Sequence, residues 1–100
     1  MSLSNEQKKH YRSIGHNLNP IVTVSSKGLS EAVLAELDRA LNDHELIKIK
    51  CAVDDKAARK ALIQKISDLT NSTVVQEIGK VALILRASKK PNAKLSNLLR

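Results

Sequence analysis

Aromatic residues are almost absent from this chain, which has one tyrosine, Tyr11, and no phenylalanine or tryptophan among its 100 residues. Proteins that bind single-stranded nucleic acid without sequence preference usually stack successive bases on aromatic side chains. This chain can use that binding mode at one position at most, so a general single-strand binder of this type is excluded.

Cysteine is also scarce, because Cys51 is the only one. A single cysteine excludes an intramolecular disulfide and fits a reducing compartment. The first ten residues lack the apolar run of a signal peptide, and no stretch approaches the roughly 18 apolar residues of a membrane span. We therefore expect a soluble cytoplasmic protein with no membrane partner.

Groupings of catalytic or metal-binding residues are missing as well. His10, His16 and His44 have no metal-ligand spacing among themselves or with Cys51. Cys51 alternates with apolar residues, which favours a buried structural thiol over a nucleophile. No Walker-type loop or dinucleotide fingerprint is present. The sequence therefore predicts a protein that is not an enzyme and has no catalytic residues, cofactor or metal.

Positive charge is abundant, with a formal net charge of +7, and it is unevenly distributed. Residues 1–45 carry five basic and six acidic side chains, whereas residues 46–100 carry twelve basic and four acidic ones. Such a bias favours a polyanionic partner, usually nucleic acid and less often anionic lipid. The alternative is that the charge only confers solubility.

The first helix is predicted by a capping box made of Ser4 and Gln7. It runs from Asn5 to Ile14 and ends at Gly15, which we expect in the left-handed conformation of a helix stop. Because helix positions three or four apart share a face, the helix carries one basic stripe, formed by Lys8, Lys9 and Arg12.

Two further helices follow from caps and from apolar residues at helical spacing. Ser30 caps the second helix, which we expect to end at Asn42 and Asp43. Asp54 or Asp55 caps the third. Its predicted buried stripe consists of Ala58, Leu62, Ile66 and Leu69.

Four β-rich runs complete the pattern: residues 21–24, 45–53, 72–78 and 81–87. The second alternates and predicts one buried face, formed by Ile47, Ile49, Cys51 and Val53. Its other, partly basic face is formed by Leu46, Lys48 and Lys50. Gly79-Lys80 between the last two runs predicts a two-residue hairpin of the glycine-first type.

The resulting order is α-β-α-β-α-β-β, which predicts an α+β fold of the α/β two-layer sandwich kind. Strand–helix–strand units favour parallel pairing, whereas the terminal hairpin is antiparallel, so we expect a mixed four-stranded sheet with three helices. Residues 1–87 form a single domain, and residues 88–100 form a basic tail. We predict a mobile tail; the alternative is a docked helical turn formed by Leu95, Leu98 and Leu99.

The loop Ser25-Ser26-Lys27-Gly28 lies between the first predicted strand and the second helix. Backbone N–H groups at a helix N-terminus have no intrahelical partner and favour an anion there. Lys27 adds a cation, and the two serine hydroxyls can donate to a phosphate. The alternative is an ordinary turn in which Gly28 only supplies a positive φ and Lys27 is solvated.

Several strings in this order resemble the CRM (chloroplast RNA splicing and ribosome maturation) domain, and most closely its bacterial stand-alone YhbY-type members. The resemblance covers about residues 2 to 87 and includes the proline before the first strand. The strings that carry it are "GLSEAVLAEL", "HELIKIK" and "VVQEIGKVALILRAS".

The resemblance implies RNA binding without catalysis, since bacterial members are associated with precursors of the large ribosomal subunit. It also implies a fold similar to the C-terminal domain of bacterial translation initiation factor three, with an extra N-terminal helix. Family members usually carry a GxxG loop that contacts the RNA backbone. In this chain Ser25 replaces the first glycine and Gly28 matches the second, so we expect a different loop curvature.

We therefore predict a non-catalytic RNA-binding protein, monomeric and cytoplasmic, whose partner is ribosomal RNA or a precursor of the large subunit. Recognition should be by shape and backbone of a structured RNA. Two alternatives stay open, an RNA chaperone on another structured RNA and a module that docks a ribosomal protein or assembly factor. The predicted RNA-binding residues are Ser25, Ser26, Lys27, Gly28, Lys8, Lys9, Arg12, Lys48 and Lys50.

Overall fold

The computed structural model of the protein describes residues 3–88, 90 and 94–98, and its elements follow the predicted α-β-α-β-α-β-β order. The helices are α1 (Asn5–Gly15), α2 (Glu31–His44) and α3 (Lys56–Thr70). The strands are β1 (Pro20–Ser25), β2 (Leu46–Ala52), β3 (Thr73–Ile78) and β4 (Val81–Leu85). The prediction of three helices and four strands is confirmed.

The four strands form one mixed sheet in the order β1-β2-β4-β3. β1 and β2 are parallel, and β4 is antiparallel to both β2 and β3. β4 therefore lies between β2 and β3, and the α3 crossover passes over it. Ile78 pairs with Val81 across the hairpin, where Gly79 has φ 57° and Lys80 does not have a positive φ. The glycine-first hairpin is confirmed.

One face of the sheet packs against α2 and α3 and holds the main hydrophobic core. The strand residues in it include three of the four residues predicted on the inward face of β2, all fully buried: Ile47, Ile49 and Cys51. The prediction for Val53 is wrong, because β2 ends at Ala52 and Val53 is only half-buried. The helices contribute Leu37 and Leu41 from α2 and Ile63 and Ile66 from α3. This layer of sheet and helices is the predicted sandwich.

The opposite face of the sheet is partly covered by α1, a placement that the sequence pattern did not specify. Tyr11 and Ile14 of α1 pack against a second cluster formed by Leu46, Val75, Leu83 and Leu85. Leu46, predicted on the partly basic face of β2, is therefore fully buried on that face. α1 covers this end of the face and leaves the part around Lys50 exposed.

The N-caps predicted from the sequence are present at all three helices. Gln7 N–H donates to Ser4 Oγ at 3.1 Å and Ser4 N–H donates to Gln7 Oε1 at 2.9 Å, which completes the capping box. Ser30 caps α2, and Asp55 caps α3 by accepting from the N–H of Ala58 at 2.8 Å.

The prediction for Gly15 is wrong in its conformation. Gly15 is the last residue of α1, it is buried, and it does not have a positive φ. A Cβ built there would lie 2.6 and 2.8 Å from the two δ-methyl groups of Leu83 on β4. Glycine fits here because α1 approaches the sheet closely at this point and a larger residue would have to displace Leu83; this close approach has no local sequence signal.

The predicted end of α2 at Asn42 and Asp43 is also wrong, because the helix continues to His44. Arg86 holds this last part of the helix by donating to Asn42 Oδ1 at 2.9 Å and to the Asp38 carboxylate at 2.7 Å. Glu45 then ends the helix with φ 63°. A long-range contact from the end of β4 thus extends α2.

The buried stripe of α3 is rotated relative to the prediction. Ile66 is buried as expected and Leu62 is partly buried, but Ala58 and Leu69 are exposed. Their places are taken by Ile63, Ser67 and Thr70. The two hydroxyls can be buried because each donates to a backbone carbonyl, Ser67 to that of Ser72 and Thr70 to that of Ile66.

The described part of the C-terminal segment, residues 94–98, is docked on the domain. Asn97 N–H donates to the His44 carbonyl at 2.9 Å, and Asn97 Nδ2 donates to the Leu46 carbonyl at 2.6 Å. Leu98 packs against the second cluster. The prediction of a mobile tail is wrong for these residues, whereas Leu99 lies outside the described ones. The division at residue 87 stays a prediction.

Glu45 fixes the same segment through a buried carboxylate. Its Oε1 accepts from Ser96 Oγ at 2.7 Å, and its Oε2 accepts from Ser88 N–H at 2.8 Å. Glu45 and Ser96 are 2% and 1% exposed. Removing a donor leaves a buried acceptor without a partner and destabilises the folded protein. The docking of this segment therefore depends on the Ser96 hydroxyl.

We expect Ser96→Ala to lower the free energy of unfolding by about 1 kcal/mol, since it removes one hydrogen bond from a buried carboxylate. Urea unfolding followed by circular dichroism measures the change. Ser88→Ala is the matched control, because Ser88 donates to Glu45 through its backbone N–H, which alanine keeps. Equal losses in the two variants would contradict the role of the Ser96 hydroxyl.

Candidate nucleic-acid interface

The loop Ser25–Gly28 leaves β1 as a tight turn. Gly28 N–H donates to the Ser25 carbonyl at 3.0 Å, and Lys27 N–H donates to Ser25 Oγ at 3.3 Å. Gly28 has φ 89°, whereas Ser25 ends the strand without a positive φ. Serine at the first motif position is therefore unstrained, and Gly28 is the position whose backbone requires glycine.

The N-terminus of α2 is already partly occupied by its own residues. Ser30 Oγ accepts from the N–H of Val33 at 3.2 Å, and Glu31 places a negative charge in the first turn. Both features compete with a phosphate at this helix end. The groups left to hold an anion are those of the loop, namely the exposed side chains of Ser25, Ser26 and Lys27.

Lys48 and Lys50 of β2 lie on the face of the sheet that α1 partly covers. Their β4 partners are Leu83 and Val81, and Lys50 also pairs with Thr23 on β1. Paired residues on neighbouring strands point to the same face about 5 Å apart. The exposed Lys50 therefore continues the face that begins at Lys48.

The same register connects Lys50 to the loop. Ser25 pairs with Ala52, and both lie two residues beyond the pair of Thr23 and Lys50. Since residues two apart on a strand share a face and lie about 7 Å apart, Ser25 and Lys50 are close neighbours on this surface. The loop thus stands at one end of the lysine-bearing face.

A groove of about 910 Å³ between α1 and the sheet forms the other end of this face. Lys9, Arg12 and His16 line it from the helix side, and Lys48 lines it from the sheet. We call the groove together with Lys50 and the loop Ser25–Gly28 the basic face. It is the surface on which the structure brings most of the predicted residues together.

The cations of the basic face have no acidic partner. Within the described ranges, 3–88, 90 and 94–98, no salt bridge involves Lys9, Arg12, Lys27, Lys48 or Lys50. Two cations outside the basic face do have acidic partners, since Lys80 Nζ lies 2.5 Å from Asp54 Oδ1 and Arg86 Nη1 lies 2.7 Å from Asp38 Oδ1. The hydrogen bond and positive charge of Lys80 lower the pKa of Asp54. The basic face thus keeps its charge available for an anion.

Lys8 and Lys27 are among the predicted RNA-binding residues that do not line the groove. Lys8 is half-buried and does not line the groove, although its neighbour Lys9 does. Lys27 does not line the groove either, and it belongs to the loop at the opposite end. The predicted stripe of three basic residues on α1 therefore contributes Lys9 and Arg12 to the groove.

Most of the residues that line the groove were missed by the sequence analysis, among them His16 and Gln76. His16 follows the end of α1, and nothing in its neighbours indicates a role. Gln76 is placed on the α1 side by an irregularity in the pairing of β3 with β4 between Val74 and Gln76. Such a bulge shifts the strict alternation that sequence reasoning assumes.

A second group of basic residues lies on the opposite side of the sheet, around the first turns of α3. Lys56, Arg59 and Lys60 surround a smaller groove with Glu77 and Gly79. Arg59 donates to the Val53 carbonyl at 2.9 Å, so it partly serves the structure of the strand–helix connection. Glu77 reduces the positive charge of this group, in contrast to the basic face.

The described residues contain no group of three histidine, cysteine, aspartate or glutamate side chains that could hold a metal ion. Cys51 is fully buried, and burial is the main cause that raises the pKa of its thiol. Its role is therefore packing in the main core. Within the same described residues, no helix is long and apolar enough to span a bilayer.

Comparison with known proteins places these features in a family context. A family model described as the CRS1/YhbY (CRM) domain matches residues 3–86. A protein of Pseudomonas aeruginosa named a probable RNA-binding protein is 52% identical over 100 residues, which cover 100% of this chain and 96% of that protein. A Haemophilus influenzae protein named RNA-binding protein is 39% identical over 94 residues, which cover 94% of this chain and 95% of that protein.

A solved structure shows the same fold. The solution structure of a hypothetical protein of Staphylococcus aureus, described as a candidate RNA-binding protein, superimposes with a TM-score of 0.78. The two sequences are 34% identical, and the match covers 89% of this chain and 93% of that one. The fold of three helices on a mixed four-stranded sheet is thus shared with a relative.

Proposed function

The chain belongs to the CRS1/YhbY (CRM) domain family, and from this membership we propose that it is a non-catalytic RNA-binding protein. The observation that carries the proposal is the basic face, where five cations from α1, β1–α2 and β2 have no acidic partner among the described residues. The names of the Pseudomonas and Haemophilus relatives support RNA as the polyanion.

Binding would be driven by the RNA backbone. Lys9, Arg12 and Lys48 around the groove neutralise phosphates on one side, and Lys50 and the loop extend the contact along the sheet. Each phosphate that is neutralised releases counterions, so affinity falls steeply with salt. A structured RNA suits a surface that contacts phosphates and has almost no aromatic side chains better than an unstacked strand does.

The RNA we propose is that of the large ribosomal subunit or its precursor, as the resemblance to bacterial YhbY-type proteins implies. The protein would act in the cytoplasm as a monomer during assembly of that subunit. Sedimentation of a cell extract on a sucrose gradient, with and without ribonuclease, tests this role. The protein should travel with large-subunit particles and move to the top after ribonuclease treatment.

Two other results of the gradient would contradict the proposal. If the protein stays at the top at low salt in both samples, it does not bind ribosomal particles. If it travels with particles and ribonuclease does not release it, a ribosomal protein or assembly factor is the partner. An RNA chaperone on another RNA would sediment in ribonuclease-sensitive complexes that lack large-subunit RNA.

We expect Gly28→Ala to weaken RNA binding severalfold beyond its effect on stability, because alanine at φ 89° distorts the loop that carries Lys27. Asn71→Ala is the matched control, since Asn71 also has a positive φ, is exposed and lies at the end of α3, outside the groove. Each variant should lose about 1 kcal/mol of stability. Titration of a labelled RNA should then show weaker binding by Gly28→Ala than by the control variant. Equal RNA affinities of the two variants would contradict a role of the loop in RNA binding.

A further inference from the structure

The groove of the basic face contains more than cations. Its floor is apolar, formed by Leu83, Val81 and Ile78, and its sides carry the amide side chains of Asn17, Asn19 and Gln76. Ile78 is 65% exposed, the highest value among the large apolar side chains that the structure describes as exposed. The most exposed of these apolar side chains thus lines the groove of the basic face.

A surface that binds only phosphates does not require an apolar floor. Phosphate contacts require cations and hydrogen-bond donors, and they leave apolar side chains exposed to water. Ile78 and Val81 pair directly across the hairpin, so together they form a flat apolar surface beside Lys50. The face of a nucleobase is the part of RNA that such a surface can cover.

The three amide side chains provide the polar groups that a base edge needs. An amide offers two donors and an acceptor, which match the Watson–Crick edges of the bases. No hydrogen bond joins the side chains of Asn17, Asn19 or Gln76 to another part of the described chain, so their donors and acceptors face the groove or solvent. Gln76 is half-buried, directly opposite Leu83.

Arg12 and His16 supply planar groups in a chain that is nearly free of aromatic residues. Guanidinium and imidazole planes both stack on bases. Each side chain lines the groove, is exposed and has no ion-pair partner among the described residues. A base that enters the groove therefore meets a planar cation on the α1 side and the apolar floor on the sheet side.

We propose that this groove receives an unpaired base extruded from the structured RNA, while the phosphates on either side contact Lys9 and Lys48. The proposal rests on the RNA-binding function proposed above and names the structural class of RNA, a helix interrupted by a bulged nucleotide. A groove of about 910 Å³ is large enough for a base and its sugar, since pockets of this size enclose small-molecule ligands.

The test compares labelled RNA hairpins by fluorescence anisotropy at a fixed salt concentration. One hairpin is fully paired, and four others carry a single bulged A, C, G or U. At least one bulged hairpin should bind about tenfold more tightly than the paired one, the effect of stacking one base. Equal affinity for all five would overturn the proposed groove occupant and leave RNA binding intact.

Variants then locate the preference in the groove. Ile78→Ser and Gln76→Ala should each remove most of the preference for the bulged hairpin while keeping the affinity for the paired one. Leu69→Ser is the matched control, because Leu69 is 54% exposed on α3 and lies outside the groove. A preference that survives Ile78→Ser and Gln76→Ala would place the base elsewhere. Failure of the wild-type protein to bind any hairpin would refute the RNA-binding proposal itself.

Discussion

The triple substitution Lys9→Ala, Arg12→Ala and Lys48→Ala is expected to lower RNA affinity by about 100- to 500-fold at 0.1 M salt. The three side chains surround one groove and have no acidic partners in the described structure. Each lost phosphate contact reduces the slope of log affinity against log salt by about 0.7–0.9. Three contacts therefore change affinity by about two to three decades between 1 M and 0.1 M salt.

The matched control removes the same charge from the opposite side of the molecule. Lys56→Ala, Lys60→Ala and Lys65→Ala together also lower the net charge by three, and all three side chains are exposed on α3. This variant should keep most of the affinity and nearly the full salt slope. If both variants lose affinity equally, net charge rather than the basic face governs binding. Titrations at several salt concentrations provide both the RNA affinity and the slope of log affinity against log salt.

Gly15→Val is expected to lower the free energy of unfolding by about 2–3 kcal/mol, within the range of overpacked cores. The added side chain would begin 2.6 Å from a δ-methyl group of Leu83, which is itself 2% exposed and would have to shift from its place in the second cluster. For a domain of this size the melting temperature should fall by about 10–20 °C. Thermal unfolding by circular dichroism measures the change.

Two further variants separate the steric effect from helix propensity. Ser13→Val introduces the same residue at an exposed position of α1 and should cost well under 1 kcal/mol. Leu83→Ala vacates the space that valine needs at position 15, so the double variant should lose less stability than the two single losses added together. Strict additivity would show that the close approach of α1 to β4 does not cause the loss.

The predictions that the structure confirms depend on interactions within a few residues. Ser4, Ser30 and Asp55 cap helices because each side chain reaches an N–H three residues on. Gly79 forms the hairpin because its positive φ suits a two-residue turn. The alternation in β2 places Cys51 in the main core because side chains on a strand alternate between its faces.

Most of the predictions that failed depend on contacts distant in sequence. α2 extends to His44 with Arg86 bound to its last turns, and residues 94–98 dock because Glu45 accepts from Ser96. No local pattern around Arg86 or Ser96 indicates such partners. The rotation of the buried face of α3 has a local cause, since Ser67 and Thr70 donate to carbonyls five and four residues away and can therefore be buried.

The order of the elements and the class of fold follow from the local sequence, because propensity, capping and periodicity act over a few residues, and the excess of positive charge follows from composition. The packing of α1 across the sheet at Gly15, which joins Lys9 and Arg12 to Lys48 around one groove, is visible only in the folded molecule. That arrangement requires residues more than thirty positions apart in the chain to meet. Burial of apolar side chains drives the packing without regard to sequence distance, so it can be read only from the folded molecule.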